Sequence, residues 1–191
     1  GYFGSERDGG FAEFTTLPSA NALAVNSDYT DAELATFSCS YSTAEGMLHR
    51  AFVHADDTVL ITGASGGVGS ALLQLAKLRG ARVIAMASKA KHDEVATLEP
   101  DWIIERNPDD LRAAMGDEKV SVVADIVGGE YWPNLIDILE RRGRYTCSGA
   151  IAGPMVELDL RTFYLRDLTF TGSTIIDPEV MHNVINYIEA K

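Results

Sequence analysis

The run Thr62-Gly63-Ala64-Ser65-Gly66-Gly67-Val68-Gly69 is where residue types and spacing in this chain best support chemistry. Glycines let a backbone approach a pyrophosphate closely, and a helix starting behind them offers unpaired N–H groups with a partial positive charge. The flanks supply the required context. Asp57-Thr58-Val59-Leu60-Ile61 is a short β-branched strand pattern, and after the loop Val68, Leu72 and Leu75 repeat at helical spacing. Strand, glycine turn and helix together predict a dinucleotide site, with Ala64, Ser65, Gly66, Gly67, Val68 and Gly69 at the phosphates. The next strand, Val83-Ile84-Ala85-Met86-Ala87, ends at Ser88, with Lys89 and Lys91 close behind. An Asp or Glu at that strand end binds the ribose hydroxyls of NAD, and Asp93 and Glu94 come too late to do so. A 2′-phosphate, at roughly −1.5 to −2 charges, instead suits a hydroxyl and ammonium groups. Ser88 and Lys91 therefore predict a preference for NADP(H) over NAD(H).

Those residues need a scaffold, which the hydrophobic periodicity supplies. Strands are expected at 58–62, 82–87, 101–105, 121–127, 144–148 and 168–172. Helices are expected between and after them at 67–78, 89–98, 108–115, 131–141 and 178–190. Such alternation gives a parallel sheet covered on both faces, and right-handed crossovers give the strand order 3-2-1-4-5-6. The expected class is α/β, with a doubly wound parallel-sheet Rossmann domain over 28–191. Within it, a helical region capped by Thr30 or Asp31 runs with interruptions to about Arg50. Residues 1–27 read differently: Asp8-Gly9-Gly10-Phe11-Ala12-Glu13-Phe14 is a glycine turn feeding an alternating strand, followed by a loop with Pro18.

Composition bounds the function. The 191 residues are 46 % hydrophobic and 23 % charged, enough for a real core without disulfides. A net charge of −12 argues against nucleic acid as a partner. No apolar run is long enough to span a bilayer and no basic-then-apolar leader is present, so no membrane partner and a cytoplasmic location are expected. The chain starts at Gly1 and stops inside a helical pattern, which reads as part of a larger protein.

Other candidates are weaker. Tyr187 and Lys191 form a Tyr-x-x-x-Lys pair with Ser173 upstream, a trio that could supply a lysine-assisted tyrosine acid. The sixty-odd residues before the glycine loop and the Asp125-Ile126-Val127-Gly128-Gly129 ending of the fourth strand favour a plain amphipathic helix there. His49, His54, His92 and His182 have no metal-like spacing with each other or with Cys39 and Cys147. Cys147, in mid-strand, reads as core.

Several landmarks in order resemble the medium-chain dehydrogenase/reductase superfamily of zinc-type alcohol dehydrogenases and quinone reductases. They are Asp8–Phe14, the glycine loop, Asp125–Gly129, Gly143-Arg144 and Leu168-Thr169-Phe170-Thr171-Gly172-Ser173. The resemblance implies that 1–27 is the C-terminal part of a GroES-like catalytic domain. It implies hydride transfer between a nicotinamide and an alcohol, an aldehyde or ketone, or a quinone, by a homodimer. The segment Ser38-Cys39-Ser40-Tyr41-Ser42-Thr43-Ala44 resembles the family's Gly-Cys-x-x-x-Thr stretch, which would make Cys39 a zinc ligand and set Thr43 beside the nicotinamide. Gly149, Ala150 and Ser173 fall at further cofactor-contacting positions by the same resemblance. A catalytic zinc needs three protein ligands, and the other two would precede Gly1. Two alternatives stay open: a zinc-free quinone or enoyl reductase on this fold, and a catalytically silent NADPH-binding module. The chain also departs from the family pattern, with Glu99-Pro100 where Gly-Ala is usual and Arg142 replacing one of two glycines.

Overall fold

The computed structural model describes residues 3–190. Six strands form one parallel sheet in the order β3-β2-β1-β4-β5-β6, as the alternation predicts. They are β1 (Thr58–Ile61), β2 (Arg82–Ala87), β3 (Trp102–Glu105), β4 (Val120–Asp125), β5 (Leu139–Cys147) and β6 (Thr169–Gly172). The helices are α1 (Asp31–Thr36), α2 (Ser42–Arg50), α3 (Gly67–Leu78), α4 (His92–Ala96), α5 (Leu111–Met115), α6 (Trp132–Ile138), α7 (Leu160–Leu165) and α8 (Pro178–Glu189).

Side chains alternate across the pleat, so each central strand feeds two cores. Val59 and Ile61 of β1 pack with Val83, Ala85, Leu72 and Met47 on the face covered by α2, α3 and α4. Leu60 packs with Ile84, Met86, Ile104 and Leu135 on the face covered by α5 and α6. Truncating a buried leucine such as Leu72 costs about 2–5 kcal/mol at sites of this kind. The helix α8 docks on α2 through Val180, Val184 and Ile188, and Asn183 donates to the buried carboxylate of Glu45, which also pairs with Arg79 at the end of α3. At the amino ends of the strands, Arg144 binds Asp57 and the carbonyls of Ala51 and Phe52, tying β5 to the entry of β1.

Helix starts follow local chemistry. Thr30 caps α1 in a reciprocal box with Glu33, and Asp110 and Asp159 cap α5 and α7. Among the described residues, no helix is long and apolar enough to cross a membrane.

Three expectations need correction, and one helix was not anticipated. No strand forms at residues 11–14; Phe11 and Phe14 are exposed, and no strand lies alongside to complete a ladder. The 3–27 stretch carries only a bridge between Phe3 and Arg7 and one turn at Ser19–Asn21, and Asn26 N–H donates to Glu189 of α8. β5 begins at Leu139, not Arg144, because Leu139 pairs with Val120 ahead of an irregularity in the ladder. The α6 helix accordingly stops at Ile138, and the unanticipated α7 occupies the long connection to β6.

Candidate dinucleotide site

The glycine loop is built so tightly that side chains are excluded from it. Gly63 has φ +59°, and a Cβ on Gly69 would lie 2.1 Å from the Gly63 carbonyl oxygen. A Cβ on Gly67 would meet the Ser40 hydroxyl at 2.8 Å. Gly66 caps α3 without any side-chain bond, leaving the first N–H groups of a twelve-residue helix to an external acceptor. Ser65, Gly66, Gly67 and Val68 form the accessible rim, whereas Ala64 and Gly69 are buried. Ala64 N–H bonds the Met86 carbonyl, so its part is to fasten β1 to β2. Backbone donors over glycines, with no carboxylate among them, fit a pyrophosphate.

The opposite wall hangs on Asp125, a fully buried carboxylate at the end of β4. The Thr62 hydroxyl donates to it at 2.5 Å and the Tyr145 hydroxyl at 2.7 Å; Val127 and Gly128 N–H add bonds of 2.9 and 3.2 Å. Burial, then the charge of Asp125, pushes the Tyr145 phenol far up, so it remains a neutral donor. Gly128 and Gly129 adopt φ +63° and +78°, and a Cβ on Gly149 would lie 2.7 Å from the Ile126 carbonyl. The loops after β1, β4 and β5 are thereby locked together. They meet at the carboxyl edge where strand order reverses, the place at which open α/β sheets bind ligands.

The remaining candidates divide. Ser88 follows β2 on the same edge, half-buried, and its hydroxyl has no partner among the described residues. Lys91 is exposed and its ammonium lies 2.6 Å from Glu94. Gly149 and exposed Ala150 follow β5. Ser173 is buried with its hydroxyl against Gly46 of α2, which directs it away from solvent; its carbonyl accepts from Ser148. Half-buried Thr43 lies in the first turn of α2, directly after a π-helical turn, Phe37–Tyr41, that carries Cys39. Tyr41, at the end of that turn, accepts a hydrogen bond from Gln74 of α3.

Cys39 is exposed, and among the described residues no three His, Cys, Asp or Glu side chains gather to hold a metal. One thiol does not make a zinc site, so these residues do not fit the metal by themselves. Of the tyrosine–lysine trio, Tyr187 sits on α8 with its phenol raised by burial, and Lys191 lies outside the described residues.

Sequence reasoning used Asp125 only as a landmark and missed Tyr145 and Arg106, which lines the crevice beside Gly63 and Met86. The partners of Asp125 come from the end of β1, the loop after β4 and the middle of β5, and no local pattern announces that convergence.

Comparison with known proteins agrees with this geometry. The family profile described as zinc-binding dehydrogenase matches residues 67–190. Alcohol dehydrogenase 2 of Caenorhabditis elegans is 26 % identical over 97 % of this chain and 54 % of its own length. An acryloyl-coenzyme A reductase of Metallosphaera sedula is 29 % identical over 89 % of this chain and 51 % of its own length. A protein of Sinorhizobium meliloti 1021, solved as a candidate alcohol dehydrogenase, superposes with TM-score 0.92 at 48 % identity, over all of this chain and 54 % of that one. A cobalt- and zinc-bound alcohol dehydrogenase of Pyrobaculum aerophilum gives 0.84 at 31 % identity, over all of this chain and 55 % of that one. The chain thus spans about half the length of the relatives it matches.

Proposed function

The chain belongs to the zinc-binding dehydrogenase family of the medium-chain dehydrogenase/reductase superfamily, and on that premise we propose that it is the cofactor-binding part of an NADP(H)-dependent oxidoreductase. The glycine loop carries this reading: its accessible rim of backbone donors, with no space for a Cβ at Gly69, suits a pyrophosphate. The nicotinamide, when bound, supplies the hydride acceptor or donor for an alcohol/carbonyl pair. The residues of this chain do the positioning. Gly67 and Val68 present N–H groups to the phosphates beside the bare backbone of Gly66, whose own N–H closes the turn on the Gly63 carbonyl. Val68 and Thr43 flank the nicotinamide, and Gly149 and Ala150 line its far side. Ser173 contributes backbone only, since its hydroxyl faces Gly46. Ser88 stands at the end of β2, where the adenosine 2′-phosphate is expected, with Lys91 one turn on, and the absence of an Asp or Glu from that strand end in the sequence supports NADP(H) over NAD(H). Residues 1–27 are the end of a substrate-binding, GroES-like domain, and the active form is a cytoplasmic homodimer paired through β6.

A quinone or enoyl reduction without zinc is the second reading, supported by the likeness to an acryloyl-coenzyme A reductase. Metal analysis of the longer subunit separates the two, with one catalytic zinc expected for alcohol/carbonyl chemistry. Activity is tested by following NADPH oxidation by that subunit with an aldehyde, a benzoquinone and a conjugated enoyl thioester in turn. Turnover with one class is expected. Cofactor binding without oxidation by any of them would leave a silent binding module and overturn the enzymatic reading.

A further inference from the structure

The adenosine end of the site contains a cation that the sequence pattern did not single out. Ala87 pairs with Glu105 in the last rung between β2 and β3, so Ser88 and Arg106 are the next residues on adjacent strands at the carboxyl edge. Arg106 lines a narrow crevice with Gly63, Met86, Val127 and Tyr131, between the glycine loop and the loop held by Asp125. The crevice encloses only about 10 Å³, a single water's worth, so a ligand lies across its mouth and not inside it. Four other exposed arginines are paired with carboxylates: Arg82 with Glu118, Arg112 with Asp137, Arg141 with Asp167 and Arg161 with Asp159. The Arg106 guanidinium has no such partner among the described residues.

From this geometry we infer that Arg106 is the residue that reads the 2′-phosphate of NADP(H), with the Ser88 hydroxyl beside it. The inference rests on the dinucleotide reading above and changes its electrostatics. Lys91 lies one turn past Ser88, and its ammonium already faces Glu94, so a phosphate placed there would meet a carboxylate. Glu105 immediately precedes Arg106 at the end of β3. Its Oε1 accepts the N–H groups of Lys89 and Arg106 at 3.1 and 3.0 Å, which holds it on the backbone of the two strand ends. A guanidinium also grips a phosphate through two parallel N–H bonds, which a lysine cannot do.

Calorimetric titration of NADPH and NADH into the wild-type chain and the Arg106→Ala, Arg106→Lys and Lys91→Ala variants tests this. Arg106→Ala should weaken NADPH about tenfold or more, the loss expected of a charge-assisted pair, with NADH changed less than about twofold. Arg106→Lys should recover part of the loss, and Lys91→Ala should cost NADPH less than Arg106→Ala. Equal loss of both cofactors would assign Arg106 to the adenine ring and overturn the proposal, as would unchanged NADPH binding. A folded wild-type chain that binds neither cofactor would overturn the dinucleotide reading itself, a result distinct from any failure of Arg106.

Discussion

Glu99 and Arg142 hold left-handed backbone angles of φ 54° and 65°. They are also the positions at which the chain departs from the glycines usual in its family. An L side chain in that conformation costs about 1–2 kcal/mol. Glycine gives back part of that gain by loosening the unfolded chain. Glu99→Gly and Arg142→Gly should each therefore raise stability by about 0.5–1 kcal/mol, or about 1–4 °C in thermal midpoint for a chain of this size. Calorimetric melting checks both. The buried Asp125 cluster makes the opposite prediction. Asp125→Ala leaves Thr62, Tyr145 and two backbone donors without an acceptor, and should cost about 3 kcal/mol or more in urea unfolding. Tyr145 adds a pH signature. Its folded pKa is raised, so above about pH 10 the unfolded chain releases a proton that the native one keeps, and stability falls as pH rises. Tyr145→Phe should flatten that alkaline slope, leaving the smaller contributions of Tyr131 and Tyr187, whose phenols are also raised by burial.

Among the elements, α3 was readable to the residue, because glycine turn and apolar spacing both mark its limits. The strand order was readable for a similar reason: β1, β2 and β4 are buried on both faces, and their apolar runs say so. What stayed hidden depends on distant partners. The alternation at 11–14 matches a strand, but a strand needs a neighbour, and none lies there. The π-helical turn at Phe37–Tyr41 has no local signature, although it decides how Cys39 and Thr43 stand relative to α3. The sixth strand, β6, is anchored by Phe170 against Tyr145, Trp132 and Phe163, with ring centroids 5.5, 5.9 and 4.8 Å apart, while its outer edge is unpaired in the sheet. Exposed Leu160, Tyr164 and Leu165 lie on α7, which leads into that strand. Open edges and apolar patches invite pairing, and two-fold closure is the commonest outcome. Light scattering of a dilute sample should give a dimer; a strict monomer would contradict pairing through β6.

On the scale of the whole molecule, the sheet brings three loops from separate βα units to one edge and fixes them through buried polar bonds. Net charge of −12 repels anions at long range, so the proposed dinucleotide binding must rest on local donors, for which the start of α3, Ser88 and Arg106 are the candidates. The candidate phosphate loop was legible in the sequence because its geometry is local, whereas Arg106 and Asp125 became visible only through strand register. The chain spans about half the length of its relatives, and the proposed cofactor site lies wholly on its own residues, so cofactor binding is the property to test on it. Quenching or enhancement of nicotinamide fluorescence, with NADPH and NADH titrated into the purified chain at moderate salt, measures that property directly. The account predicts saturable binding of both, with NADPH about 10- to 100-fold tighter, equivalent to ~1.4–2.8 kcal/mol. Equal affinities or tighter NADH would contradict the reading of the adenosine end, and a folded chain that binds neither would contradict the site as a whole.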